Sequence, residues 1–139
     1  ASLNISSTLS TYNKAKKIFN KVGMVIELKK EQEMDTFTGL IGSGPAYFFY
    51  LLKAYEKRLI KLCNNDSALT AKAMSGLLEG VALSLEDGSS IDDLIKKVAS
   101  KKGTTEAGLK SFKKNKLLSS FDKGISAAVN RSKEIANES

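Results

Sequence analysis

Pro45-Ala46-Tyr47-Phe48-Phe49-Tyr50-Leu51-Leu52-Lys53-Ala54-Tyr55 is apolar on nearly every side once wound into a helix. A helix of that kind is buried on several sides at once. In a chain of 139 residues one core rarely encloses a helix completely, so a second subunit is the natural cover. Pro45, the only proline, stands where proline starts a helix well. Just before it, Gly42-Ser43-Gly44 breaks a short helix expected over 31–41.

Working toward the C-terminus, Asp66 or Ser67 can cap a helix running to about Leu85. It carries Ala68, Ala71, Ala73, Gly76 and Gly80. Glycine costs about 1 kcal/mol in a helix interior, so two of them four residues apart imply that another helix backbone comes close. Ser90 with Asp93 opens a helix bearing Ile91, Leu94, Ile95 and Val98. The Ser100–Thr105 loop precedes a helix with Ala107, Leu109 and Phe112. Ser119 or Ser120 then opens a last helix with the stripe Phe121, Ile125, Ala128, Val129, Ser132, Ile135 and Ala136.

Toward the N-terminus, Ser10 caps a helix whose face is Tyr12, Ala15, Ile18, Phe19 and Val22, closed by Gly23. Met24-Val25-Ile26-Glu27-Leu28 is short, apolar and β-branched, which predicts one strand. It has no evident partner in the sequence. It reads as the strand that completes a sheet belonging to a preceding domain. The expected fold is therefore all-α: residues 31–139 form a helical domain, and residues 1–30 are the end of another. A start without Met fits a piece of a longer protein or simple Met removal.

Composition narrows the chemistry. A hydrophobic share of 42% marks a globular chain. Without His, and with one Cys, the usual zinc and copper sites and any Ser–His or Cys–His hydrolase are excluded within this chain. A lone Cys63 forms no internal disulfide and suits a reducing cytoplasm. No apolar run is long enough to predict a bilayer span, and the first seven residues do not read as a leader. The net charge of +7 reads as solvation, or as steering of anionic ligands, rather than nucleic-acid binding, because arginine occurs only at Arg58 and Arg131.

Three stretches compete as sites. Gly39-Leu40-Ile41-Gly42-Ser43-Gly44 lacks the third glycine of a dinucleotide loop and follows a helix, so it reads as a tight helix–helix corner. Lys110, Lys113, Lys114 and Lys116 spread over more than one face of their helix, as a solvated surface does. Ser100-Lys101-Lys102-Gly103-Thr104-Thr105 is either a plain helix start or an anion site. Amides at a helix N-terminus point outward unpaired, and those of Gly103, Thr104 and Thr105 suit a carboxylate or phosphate.

The chain resembles the pyrroline-5-carboxylate reductases. Thr38-Gly39-Leu40-Ile41-Gly42-Ser43-Gly44-Pro45-Ala46-Tyr47 looks like the start of their C-terminal domain. Val98-Ala99-Ser100-Lys101-Lys102-Gly103-Thr104-Thr105-Glu106-Ala107-Gly108-Leu109 looks like their signature loop and helix, and Ala127 to Glu134 also fits. The resemblance implies a helical dimerisation domain, interlocked in a homodimer (decamers occur in the family), behind a Rossmann domain. That domain's last helix and strand would be residues 1–30. It implies reduction of 1-pyrroline-5-carboxylate to L-proline with NADPH or NADH, and no dinucleotide site in this stretch, which alone should be inactive. Ser100, Gly103, Thr104 and Thr105 would bind the small-molecule substrate. Thr105 would be catalytic, orienting or relaying a proton to the imine nitrogen. The competing reading is a non-catalytic helical oligomerisation domain of the same architecture, with no metal, membrane or nucleic-acid partner in either case. Two departures stand out. Lys101-Lys102 replaces a common Pro-Gly, so either the loop takes another path or the lysines strengthen anion attraction. Ile41 replaces a common serine.

Overall fold

The computed structural model describes residues 2–4 and 9–138. Residues 5–7, part of the stretch judged not to be a leader, lie outside the described residues. The elements run β1 (Ser2–Asn4), α1 (Leu9–Phe19), β2 (Ile26–Leu28), α2 (Glu33–Phe37), a π-helical turn (Thr38–Gly42), α3 (Gly44–Leu62), α4 (Ser67–Leu85), α5 (Ile91–Val98), α6 (Thr104–Lys114) and α7 (Leu117–Glu138). The architecture is all-α apart from one small sheet. Two compact units share the chain: residues 1–46 with 121–139, and residues 47–120.

In the first unit the strand predicted at Met24–Leu28 does have a partner. β1 pairs with β2 in parallel, Ser2 opposite Ile26 and Asn4 opposite Leu28, and α1 makes the crossover between them. This β–α–β unit escapes a pattern search because a three-residue strand is too short to show a period of two. Tyr12 and Lys16, one turn apart on α1, both donate to the Glu27 carboxylate on β2. The Lys16 ammonium, and then the Tyr12 hydroxyl, hold Glu27 below the usual carboxylate range, while the carboxylate raises the Tyr12 phenol.

The segment expected as one helix over 31–41 divides. Glu33 accepts from the amides of Lys29 and Lys30 at 2.8 and 3.2 Å, fixing the entry to α2. After Phe37 the pitch widens, and the Ser43 amide reaches back five residues to the Thr38 carbonyl at 2.9 Å. That turn presents Gly39 to α7. A Cβ there would stand 2.5 Å from Val129 Cγ2 and 3.0 Å from its amide nitrogen, so no side chain fits. One turn along α7, the Ser132 hydroxyl donates to Asp35 at 2.7 Å. α7 itself begins earlier than predicted. Lys116 takes a left-handed backbone (φ 55°), and the Ser120 amide already bonds to the Lys116 carbonyl.

The second unit is built from local rules. Asp66 caps α4 by accepting from the Leu69 amide at 2.9 Å. Asn64 and Asn65, both left-handed, close α3, and the Asn65 amide returns to the Ile60 carbonyl. Ser90 caps α5 through the Asp93 amide, and its hydroxyl donates to the Asp93 carboxylate at 2.7 Å.

Much of the apolar surface of this unit is exposed. Phe49 and Tyr50 on α3 are 67% and 74% exposed, and Leu77, Val81 and Leu85 on α4 are about half exposed. Among the described residues, and apart from α4's own backbone, nothing lies within 4 Å of a Cβ at Gly76 or Gly80, so no described helix makes the expected close approach. α4 is also long and apolar enough, by length and composition only, to cross a membrane (mean hydropathy 1.2), although no run was expected to qualify. The whole chain exposes 11315 Å². A folded monomer of this size exposes about 7,000 Å².

Candidate functional site

The turn before α6 decides how its N-terminus faces outward. The Gly103 amide donates to the Ser100 carbonyl at 3.0 Å, closing a four-residue turn. Lys102, third in that turn, has φ 61°, whereas Lys101 is not left-handed. Positive φ at the third position alone is the mark of a type II turn, whose preferred middle residues are proline and then glycine. The two lysines therefore keep the path that Pro-Gly would favour, and the loop does not take another route. Lys102 accepts a backbone state that costs a non-glycine residue roughly 1 kcal/mol. Gly103 is needed for a different reason: a Cβ there would overlap the Ser100 hydroxyl.

The amides sort themselves in this geometry. That of Gly103 is engaged by Ser100, so it is not one of the free donors expected of it. Thr104, Thr105 and Glu106 are the first three residues of α6, whose amides have no partner along the helix. No side chain caps this helix from Gly103, in contrast to α4 and α5. Glu106 instead reaches backward, accepting from the Lys102 amide at 2.5 Å and pairing with Lys110 at 2.8 Å. The Lys110 ammonium first, and the Lys102 amide second, hold its carboxyl below the usual glutamate range.

Thr105 also lines a groove of about 630 Å³ within the second unit. One wall is α4, with Gly76, Leu77, Gly80 and Val81. The other is α5, with Ile91, Leu94, Ile95 and Val98, and Leu109 of α6 completes it. Ser100, Gly103 and Thr104 are not part of this lining; they belong to the turn beside it. Lys97 at the rim donates to Asp87 and Ser89 at 3.1 and 3.0 Å. The Ser89 amide and hydroxyl, then Lys97, lower the Asp87 carboxyl to about 2.

Two features went unread in the sequence. One is the reach of Glu106, signalled only by an acid three residues after the cap position. The other is charge segregation. Between Ile95 and Ser120 stand eight lysines and one acid, Glu106, so this stretch carries the whole net charge of +7 and the rest of the chain is balanced. The lysines are concentrated around the turn and α6, not scattered evenly among acids. Low local acid content makes this a strongly positive field for an approaching anion.

The family profile for pyrroline-5-carboxylate reductase dimerisation matches residues 31–135. The chain belongs to that family. Reductase relatives agree over most of this chain. The Pseudomonas aeruginosa pyrroline-5-carboxylate reductase is 30% identical over 135 residues, 97% of this chain and 50% of that protein. Pyrroline-5-carboxylate reductase 1 of Bacillus spizizenii is 35% identical over 109 residues, 78% of this chain and 37% of that protein. The Plasmodium falciparum pyrroline carboxylate reductase, solved with NADP bound, superposes with a TM-score of 0.81 at 25% identity, covering 96% of this chain and 52% of that one. The Coxiella burnetii pyrroline-5-carboxylate reductase gives 0.78 at 31% identity, covering 96% and 50%. The chain thus spans about half the length, or less, of the curated reductases it matches. In this reductase dimerisation domain, Gly42-Ser43-Gly44 leads from a π turn into α3, not from a strand into a helix. Such a passage is not the strand-to-helix turn of a dinucleotide fingerprint.

Proposed function

We propose that this chain is the dimerisation and substrate-binding half of a pyrroline-5-carboxylate reductase, which reduces 1-pyrroline-5-carboxylate to L-proline with NADPH or NADH. The observation that carries this reading is the open start of α6. Three orphan amides, at Thr104, Thr105 and Glu106, stand beside a groove lined by Thr105 in the most positive stretch of the chain. A pyrroline carboxylate presents an anion to such amides and an apolar ring to the adjoining wall.

The proposed roles follow from the chemistry of the substrate. The Thr104 and Thr105 amides bind the carboxylate, with Ser100 and Gly103 shaping the turn that aims them. The Thr105 hydroxyl hydrogen-bonds the ring nitrogen, which must gain a proton as the imine becomes an amine. A hydroxyl is a poor acid, so water replaces the proton it gives. Lys101 and Lys102 draw the anion in. The dinucleotide belongs to the half of the reductase outside this chain, and the chain alone is inactive. Two chains pair through the bare faces of α3 and α4, interlocked as a homodimer, in the cytoplasm that the free Cys63 suits. That reading accounts for the apolarity of α4 without a membrane.

Hydrogen exchange with proline as the probe tests the site on the dimer. Protection of the Thr104 and Thr105 amides is expected; unchanged exchange at saturating proline overturns the assignment. In the whole reductase, Thr105→Ala should lower kcat by about tenfold or more, in line with loss of a proton-transfer partner. The KM for the dinucleotide should hold. Undiminished kcat removes Thr105 from the chemistry.

A further inference from the structure

We propose that Glu106 is a positioning residue that holds the Ser100–Gly103 turn in its binding-competent shape, doing by hydrogen bond what proline and glycine at 101 and 102 would do by backbone preference. It rests on the reductase reading for its effect on turnover, but its structural part stands alone.

Three observations meet at this corner. Lys102 sits at φ 61°, a state an L side chain resists. Lys101 in place of proline leaves the preceding φ unrestrained. Nothing in the two lysines therefore favours the turn, and other loop conformations become accessible. The Glu106 carboxylate accepts the Lys102 amide at 2.5 Å, across the helix start, and so clamps the residue that resists. Charge-assisted bonds of this type are roughly twice as strong as neutral ones.

The clamp is itself anchored. Lys110 pairs with the other carboxylate oxygen of Glu106 at 2.8 Å from one turn further along α6. Glu106 is half-buried, whereas Lys101 and Lys102 are exposed, so the carboxylate is the fixed member and the loop is what it fixes. The same turn sets the direction of Gly103, and thus of the Thr104 and Thr105 amides that follow it. Without the clamp the turn opens, Ser100 loses its place over Gly103, and the two amides no longer converge on one anion. Glu106 touches no reacting atom in this arrangement; it acts through Lys102.

The test compares Glu106→Ala, Glu106→Gln and Glu106→Ala combined with Lys101→Pro and Lys102→Gly. The first readout is exchange of the Lys102 amide without ligand, in chains whose circular dichroism matches the parent. Glu106→Ala should speed it by about tenfold, the loss of one hydrogen bond, while Glu106→Gln, which keeps an acceptor, should speed it less. The second readout is steady-state kinetics of the whole reductase. Glu106→Ala should raise KM for the imine acid by about tenfold, with little change in kcat or in KM for the dinucleotide. Restoring Pro-Gly should bring that KM back although Glu106 is still missing. Unchanged exchange at Lys102 overturns the clamp. A KM rise that Pro-Gly does not repair makes Glu106 a substrate contact or a general stabiliser and overturns the positioning role. A parent reductase with no activity would instead overturn the proposed function, and the exchange readout would still decide the clamp.

Discussion

The two units of this chain are held together by different means. In residues 1–46 with 121–139, side chains distant in sequence meet: Tyr12 and Lys16 at Glu27, Ser132 at Asp35, and Val129 against Gly39. In residues 47–120, the bonds described above join residues ten positions apart or fewer, and large apolar side chains of α3 and α4, such as Phe49, Tyr50 and Leu83, stay more than half exposed. The contrast shows where this chain's own information is sufficient. The first unit supplies its own neighbours. The second supplies well-capped helices and leaves their cohesion to another molecule. The area makes the point quantitatively. The chain exposes 11315 Å². That is about 4,000 Å² more than a self-contained protein of its size, an excess in keeping with a domain that pairs with another molecule.

The sharpest way to break this comparison is to charge the bare face. Phe49→Asp places an unpaired carboxylate on the exposed face of α3, where the partner is proposed to sit. It should destabilise the folded dimer by about 3–5 kcal/mol per protomer. Sedimentation should show loss of the dimer together with loss of helix. An unchanged dimer would mean that this face is solvent-facing after all. Gly39→Ala addresses the other unit. Its Cβ would overlap Val129, and overpacking of this kind costs about 1–3 kcal/mol. Chemical denaturation should show that loss, and Val129→Ala should recover only part of it, because the Val129 amide nitrogen and Cα also lie 3.0 and 3.1 Å away.

A smaller effect separates the two regions by sign. Within one chain the Gly80 position is open, so Gly80→Ala should stabilise α4 by about 1 kcal/mol through helix propensity alone. A partner helix seated on that position reverses the sign. Destabilisation of the dimer is expected, measured by thermal unfolding at fixed protein concentration.

The smallest effect concerns acid. The Asp87 carboxyl titrates at about 2 when folded, against its ordinary 3.8. A folded pKa below the unfolded one means the stabilisation is complete above pH 3.8 and disappears as the pH falls toward about 2. Asp87→Asn should flatten that part of the urea-midpoint profile and leave the neutral side nearly unchanged. Equal slopes in both proteins would show that the Ser89 and Lys97 contacts do not persist in solution.

What the sequence disclosed follows the same division. Asp66, Ser90 and the limits of α4 and α5 are set by residues within a turn of each other, and they were legible. The β1–β2 pairing, the π turn and the seat of Gly39 on Val129 depend on residues far apart in the chain, and no local pattern announces them. The loop and the helix start at Thr104 were legible, and the structure adds that Thr105 lines the groove beside them. The mechanics of the turn were not legible. The identities of Lys101 and Lys102 argue against the turn they adopt; the Gly103–Ser100 bond and the Glu106 carboxylate, which no local pattern announces, both engage it. The lysine bias from 95 to 120 was present in the sequence and is visible only when charge is counted by stretch instead of by chain.

The central claim is that the helical unit is completed by a second copy of this chain. Sedimentation equilibrium and circular dichroism, followed together through serial dilution, test it most directly. Helix content should fall in step with dimer mass, with no species both monomeric and folded. A monomer that keeps its full helix content on dilution would contradict it.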